Sequence, residues 1–315
     1  MKNIRLYLSS TLFFVCIVLS SCEQPKESQS SQQKEEQLNL EDTKVIKQLF
    51  DEALTTRETY QLLDHLCHQI GHRLSGSEGA AQAVDWTEKV MTDYGFDKVY
   101  KQDVMVPNWK RGEKEIARIA DSSEKELSVL ALGMSVGTPS DGLTAEVVEV
   151  QGLEDVEALG EEKIKGKIVF YNRATDQRHI QTGAAYGGAV DQRSAGPSMA
   201  AKYGAVGVVI RSVGTGFDDV PHTGTTSYKD SIPKIPAAAL GFQSADRLAE
   251  ALKQNPNTKL FLKMSCQTLE DAPSHNVIGE LTGSKFPDEI ITIGGHLDSW
   301  DVGHGAHDDG AGCMQ

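Results

Sequence analysis

The residue types best suited to chemistry crowd into "GGHLDSWDVGHGAHDDGAGCMQ", residues 294 to 315, which holds three histidines and four aspartates. The apolar run before it predicts a buried parallel strand, Glu289 to Gly294, delivering His296 at its carboxyl end, where open α/β sheets bind their ligands. Asp298 lies two residues on, near enough to hydrogen-bond a ring nitrogen of a ligating histidine and fix its tautomer. Asp308 and Asp309 follow a glycine-containing loop, and "DDGAG" then opens a helix. A carboxylate at such a bend can give one oxygen to each of two cations. Metals paired at about 3.5–4 Å polarise a carbonyl and acidify the water between them, which suits amide hydrolysis at neutral pH. Each residue alone reads as a solvated loop residue; the combination predicts a metal site.

Other signatures fail on their context. "GEEKIKGKI", residues 160 to 168, has the wrong spacing for a phosphate loop and precedes a strand, so it reads as a loop feeding that strand. "GMSVG", residues 133 to 137, matches a nucleophile elbow but is followed by "TPSDG" and another strand where a helix is required. Ser135 therefore reads as part of a turn between strands. Cys67, Cys266 and Cys313 have unrelated spacings that give neither a disulfide framework nor a zinc knuckle, and they read as packing cysteines.

The elements that must position the site follow from periodicity. Apolar residues from Leu40 to Ile70 recur at three- and four-residue intervals, predicting one interrupted or two successive amphipathic helices that stop at Gly71. Ser77 is an N-cap candidate for the next helix, Gly95 its stop, and a strand is expected around Lys98 to Val106. From residue 113 to 269 short strands ("LSVLALG", "LTAEVVEVQG", "GKIVFYN", "VGVVIRS", "KLFLKM") alternate with helices ("GPSMAAKYGA", "SADRLAEALKQN"). That pattern predicts an α/β or β-rich unit inserted into a domain made of residues 40–112 and 270–315.

At 315 residues two domains are expected. A mean hydropathy of −0.35 excludes a polytopic membrane protein. A net charge of −14 excludes nucleic acid as a partner, because phosphate binding needs a Lys/Arg surface. The first 21 residues carry Lys2 and Arg5 ahead of a short apolar run, the form of an export signal. The run ends in Leu19-Ser20-Ser21-Cys22, which resembles a bacterial lipobox. The expectation is an exported cell-envelope lipoprotein, held on a membrane surface by a lipid anchor on Cys22. Residues 22–39, rich in Gln, Ser and Glu, read as a flexible tether.

The closing motif "GGHLDSWDVGHGAHDDGAG" resembles the zinc exopeptidase family that includes the carboxypeptidase Q enzymes and the dizinc aminopeptidases. "IGHRLSGSEGA" and "SHNVIGELTG" are similar to the family's early turn and to its entry into the catalytic sheet. "AAKYGAVGVVIRS" and "VPHTG" are similar to its inserted protease-associated domain. The resemblance implies an α/β/α peptidase domain, incomplete in this chain, with a β-rich insertion. It implies two zinc ions, with His296 a ligand, Asp298 the residue that orients it, Asp308 the bridging carboxylate and a cis bond after Asp308. It makes His304 and His307 bystanders on the approach, and brings His222 in "VPHTG" over the cleft as a candidate substrate contact. It further implies a peptide substrate and a homodimer. The family's general base and remaining ligands all follow the bridging aspartate, so the chain reads as the front portion of a longer enzyme, inactive by itself. The alternatives are a non-catalytic surface-anchored binding protein using the protease-associated domain, and a single-zinc cyclase on the same scaffold.

Overall fold

A computed structural model describes residues 27–120 and 126–315. The export signal expected over the first 21 residues and the lipid anchor expected on Cys22 fall outside the described residues. The described chain divides into two compact units, up to Leu62 and from Leu63 onward. Helix α1 (Glu27–Thr55) dominates the first, and α2 (Glu58–His65) begins there. The tether expected at 22–39 is therefore helical from Glu27. The stretch from 27 to 55 contains neither Gly nor Pro, and the Gln, Glu and Lys residues of its polar first part are good helix formers, which lets the helix begin well ahead of the apolar residues that start at Leu38. Among the described helices none is long and apolar enough to cross a membrane.

In the second unit, the end of α2 runs into a π-helical turn, Leu66–Ile70, which buries Leu66 and Cys67 and stops at Gly71. Gly71 has φ +86°, a value glycine adopts without strain. Helix α3 (Glu78–Asp93) is capped as expected, Ser77 Oγ accepting from the Ala80 N–H, and Gly95 at φ +76° ends it. It packs on a two-stranded antiparallel ribbon of β1 (Lys98–Val106) and β12 (Ala272–Glu280), with Lys98 opposite Glu280 and Val106 opposite Ala272. Between these two strands in sequence come β2 (Trp109–Lys110), which pairs antiparallel with β11 (Gln267–Thr268), and an eight-stranded mixed sheet.

That sheet is built from β3 (Ile116–Ile119), β4 (Glu126–Leu127), β5 (Val129–Ala131), β6 (Leu143–Val150), β7 (Ile168–Tyr171), β8 (Gly207–Arg211), β9 (Ala237–Leu240) and β10 (Lys259–Lys263). Its order is β4-β3-β10-β6-β7-β8-β9-β5, with β6 to β9 parallel and the outer pairs antiparallel. The four residues of β7 and of β9 are buried throughout, as a parallel strand covered on both faces requires. Three connections are helical, with α4 (Leu153–Ile164) between β6 and β7, α5 (Thr182–Gly187), α6 (Asp191–Ser194) and α7 (Gly196–Lys202) before β8, and α8 (Phe242–Gln254) before β10, whereas residues 212–236 between β8 and β9 form no helix. Two buried clusters flank the sheet, one around Phe170, Leu240 and Leu248, the other around Tyr171, Ile164 and Ile210. Helix α4 corrects the loop expected at residues 160 to 168. The helix is kinked at Gly160, whose φ is +63°, its last turn lies beyond that kink and ends at Ile164, and only residues 165 to 167 form the turn into β7.

The strand expected at Glu289 to Gly294 does not form. Ile290, Ile291 and Ile293 are 87–91% exposed, and the run has no pairing neighbour among the described strands. A strand exists only through its ladder, so an apolar run with no partner forms no regular element.

Candidate active site

Without a strand behind it, the loop carrying His296 is positioned by side chains. The most buried of them is Arg73, fully excluded from solvent in the turn before α3. Its Nε donates to Leu297 O at 2.7 Å and Nη1 to Gly71 O at 2.7 Å and His304 O at 2.8 Å, while Nη2 donates to Gly305 O at 3.1 Å. The two backbones are also stitched together: Arg73 N–H donates to Ser299 Oγ, and Ser299 N–H returns to Arg73 O. One guanidinium thus cinches both ends of the segment from Leu297 to Gly305. Burial lowers its pKa, an effect the nearby Cys67, Cys313 and Asp298 partly offset.

Within that loop His296 sits between two carboxylates. Nε2 lies 2.9 Å from Asp308 Oδ1, and Nδ1 faces Asp298 Oδ1 at 3.1 Å and Asp298 O at 3.2 Å. Partial burial opposes a charge on the ring, but Asp298 and Asp308 together outweigh it and raise the pKa. Asp298 thus meets one ring nitrogen and Asp308 the other. Asp308 and Asp309 are joined by a cis peptide bond. Cys313 Sγ donates to His296 O at 3.2 Å, and Cys67, Cys266 and Cys313 are all free thiols.

The donors fit a divalent metal in type and convergence, because an imidazole nitrogen held by a carboxylate on its far side is the usual histidine ligand. They do not by themselves complete a site. Among the described residues no group of three or more His, Cys, Asp or Glu is gathered for an ion. His304 contributes its carbonyl to Arg73 and its ring meets His68 edge-on at 5.3 Å; His307 is exposed.

Beside Asp308 opens a cleft of about 490 Å³, walled by Trp300, Val302 and Gly305 on the loop and by Leu130, Val220, Pro221, His222 and Thr223. The segment bearing His222 is held over the cleft by Asp219. That carboxylate accepts from Ser244 N–H at 2.7 Å, Ser244 Oγ at 3.0 Å and Arg247 Nη2 at 2.7 Å, capping α8 where its own N-cap, Gly241, has no side chain. His222 N–H donates to Ser212 Oγ, and its ring meets Phe242 edge-on at 5.4 Å. His222 and Asp308 thus line one cleft, although they lie 86 positions apart in the sequence. Ser135 is fully buried, its Oγ accepting from Ala237 N–H at 2.8 Å and donating to Val136 O, so it is a fixture of the turn and has no access to a substrate.

Three residues the sequence reading did not single out complete this region. Arg73 stood in a quoted turn without a role. Trp300 lays its ring against Gly133, where a Cβ would come within 2.2 Å of it. Asp301 forms a bidentate pair with Arg111, 190 residues away. Nothing in local spacing marks a contact at that separation.

An α/β protein with a histidine–carboxylate pair at the rim of a cleft is, as a class, a candidate metalloprotein, and the comparisons with known proteins narrow it. The family described as Peptidase family M28 matches residues 276–315. Carboxypeptidase Q from Xenopus laevis is 37% identical over 273 residues, covering 86% of this chain and 56% of that protein. Carboxypeptidase Q from Homo sapiens is 37% identical over 256 residues, covering 81% of this chain and 52% of that protein. The crystal structure of a peptidase M28 precursor from Shewanella amazonensis superposes with a TM-score of 0.80 at 39% identity, covering 85% of this chain and 60% of that one. An aminopeptidase from Aneurinibacillus sp. strain AM-1, at 23% identity and a TM-score of 0.56, shares the fold. The chain belongs to peptidase family M28. It spans between 52% and 60% of the length of these first relatives.

Proposed function

We propose that the whole protein is a zinc-dependent exopeptidase, a carboxypeptidase or dipeptidase of the carboxypeptidase Q kind or an aminopeptidase, working on peptides with two zinc ions. The observation that carries the reading is the pair at 2.9 Å, His296 Nε2 and Asp308 Oδ1, with His296 Nδ1 held on Asp298. His296 and Asp308 would hold metal, and Asp308 has a second oxygen for a second ion. With a metal bound, Asp298 would hold the Nδ1 proton and so leave the Nε2 lone pair for the ion. Zinc, when bound, polarises a peptide carbonyl and acidifies water. His222 and Thr223 reach the cleft from one side and Trp300 and Val302 from the other, so a peptide seated there would be oriented beside Asp308 with its apolar parts against Val220, Pro221 and Val302.

The test is release of amino acids from dipeptides and from N- or C-terminally blocked peptides by the whole protein. Chelation and His296→Ala should each abolish release, and the blocked peptides tell which free terminus is needed. Activity that survives either treatment refutes the reading.

A further inference from the structure

The loop between His296 and Asp308 is fastened a second time, near its middle, by another arginine. Arg111, just after β2, is 9% exposed. Its Nε and Nη2 donate to the two carboxylate oxygens of Asp301 at 2.8 and 2.7 Å. Nη1 donates to Ala131 O, the last residue of β5, at 2.6 Å and reaches Glu115 Oε1 at 3.3 Å. Glu115 in turn accepts from the Ala131 N–H at 2.8 Å, and the guanidinium lies 5.1 Å from the Trp109 ring. One planar group therefore ties the edge strand of the eight-stranded sheet to the metal-ligand loop. Trp300, the residue before Asp301, closes the same junction against Gly133.

A solvated ion pair in this place would do little. This one is bidentate and largely buried, a geometry that specifies orientation as well as attraction. Buried pairs gain little net stability over apolar packing, because desolvation offsets the attraction. What the fork does supply is direction: Asp301 can meet both nitrogens only if the loop lies in one position. Arg73 holds the two ends of that loop and Arg111 its centre, and together they leave His296 and Asp308 little room to separate.

We propose that Arg111 is a positioning residue of the metal site, acting through Asp301 to hold the loop that carries His296 and Asp308, so that the seat of this loop on the sheet sets metal affinity and turnover. The proposal rests on the peptidase reading for its effect on turnover, and on the loop geometry for the rest. It is tested in the whole protein with Asp301→Asn, Arg111→Met and Arg111→Lys. Four quantities are read: zinc affinity by competition with a chromophoric chelator, kcat and KM on a dipeptide, amide hydrogen exchange over residues 297–305, and melting temperature.

Asp301→Asn and Arg111→Met should weaken zinc binding by about 10-fold or more, the range seen when outer partners of metal ligands are removed. They should lower kcat while KM stays within about threefold, since no substrate contact is lost. Exchange over 297–305 should accelerate. Arg111→Lys, which keeps the charge but not the fork, should recover only part of each loss, and Asp301→Asn with Arg111→Met should be no worse than the poorer single variant. Variants that melt lower yet keep wild-type zinc affinity, kcat and exchange overturn the proposal, leaving the pair as structural glue. Should Arg111→Met not fold, the isosteric Asp301→Asn carries the same readouts. If the unaltered protein neither binds zinc nor cleaves peptides, the peptidase reading fails; the exchange data then decide the loop claim alone, faster exchange upholding it and unchanged exchange overturning it.

Discussion

Replacing Arg73 by Met keeps much of the side-chain volume and removes the guanidinium that cinches the loop from Leu297 to Gly305. Four backbone carbonyls lose a charged donor: Gly71, Leu297, His304 and Gly305. His304 is exposed, so water can replace the donor there; the other three are only partly accessible. A buried acceptor left without a partner costs about 1–3 kcal/mol. Three at the low end give about 3 kcal/mol, and the low end is appropriate because the fully buried cation itself carried a desolvation cost that the variant recovers. For a unit of this size each kcal/mol lowers the melting temperature by about 2–4 °C, so a fall of about 6–12 °C is expected. Thermal unfolding followed by circular dichroism measures it. Arg73→Lys should recover less than half of the loss, since one ammonium cannot reach Leu297 and Gly305 together. A Met variant melting within about 2 °C of the unaltered protein would show that these bonds contribute no net stability, and the argument from the carbonyls would be wrong.

Two more perturbations test the walls of the cleft. Gly133→Ala puts a methyl 2.2 Å from the Trp300 ring, so the indole must swing away; a cost of about 1–3 kcal/mol and a red-shifted tryptophan emission are expected, and unchanged emission would place the ring elsewhere. Asp219→Asn removes the borrowed cap of α8. Burial pushes the Asp219 carboxyl up, but Arg247 and Ser244 outweigh it and hold the pKa below the usual range. A depressed carboxylate stabilises above its unfolded pKa and loses that contribution as pH falls through its folded value. The variant should therefore be less stable by about 1 kcal/mol at pH 7, with the gap narrowing below about pH 4. A gap of the same size at pH 3 would refute the assignment.

Local signals were legible where the chain answers to itself. Ser77 caps α3 because a hydroxyl three residues ahead of an amide needs nothing from elsewhere. Gly71 and Gly95 end their helices because glycine adopts positive φ freely. The strand at Lys98 to Val106 and the helices at 196–202 and 242–254 declared themselves by pattern and stops. Helix α4 was obscured by Gly160, which breaks the periodicity inside the helix it belongs to.

The run from Glu289 to Gly294 shows the opposite case. Its apolar, β-branched composition makes it competent for a strand, but a ladder is made by two chains of backbone, and no described strand lies beside it. The fastening of the active loop was equally out of reach. Arg73 meets Leu297 across 224 positions, and Arg111 meets Asp301 across 190.

What the sequence determined by itself was the inventory and its order: a histidine, an aspartate two residues on to orient it, and a carboxylate at a glycine-flanked bend. Those relations are short-range, set by covalent distance and local backbone preference. Only the tertiary structure decided that His296 and Asp308 converge to 2.9 Å, that His222 shares a cleft with Asp308, and that two arginines hold the loop between His296 and Asp308. The reason is that a guanidinium chooses partners by direction and burial in space, and sequence distance does not constrain either.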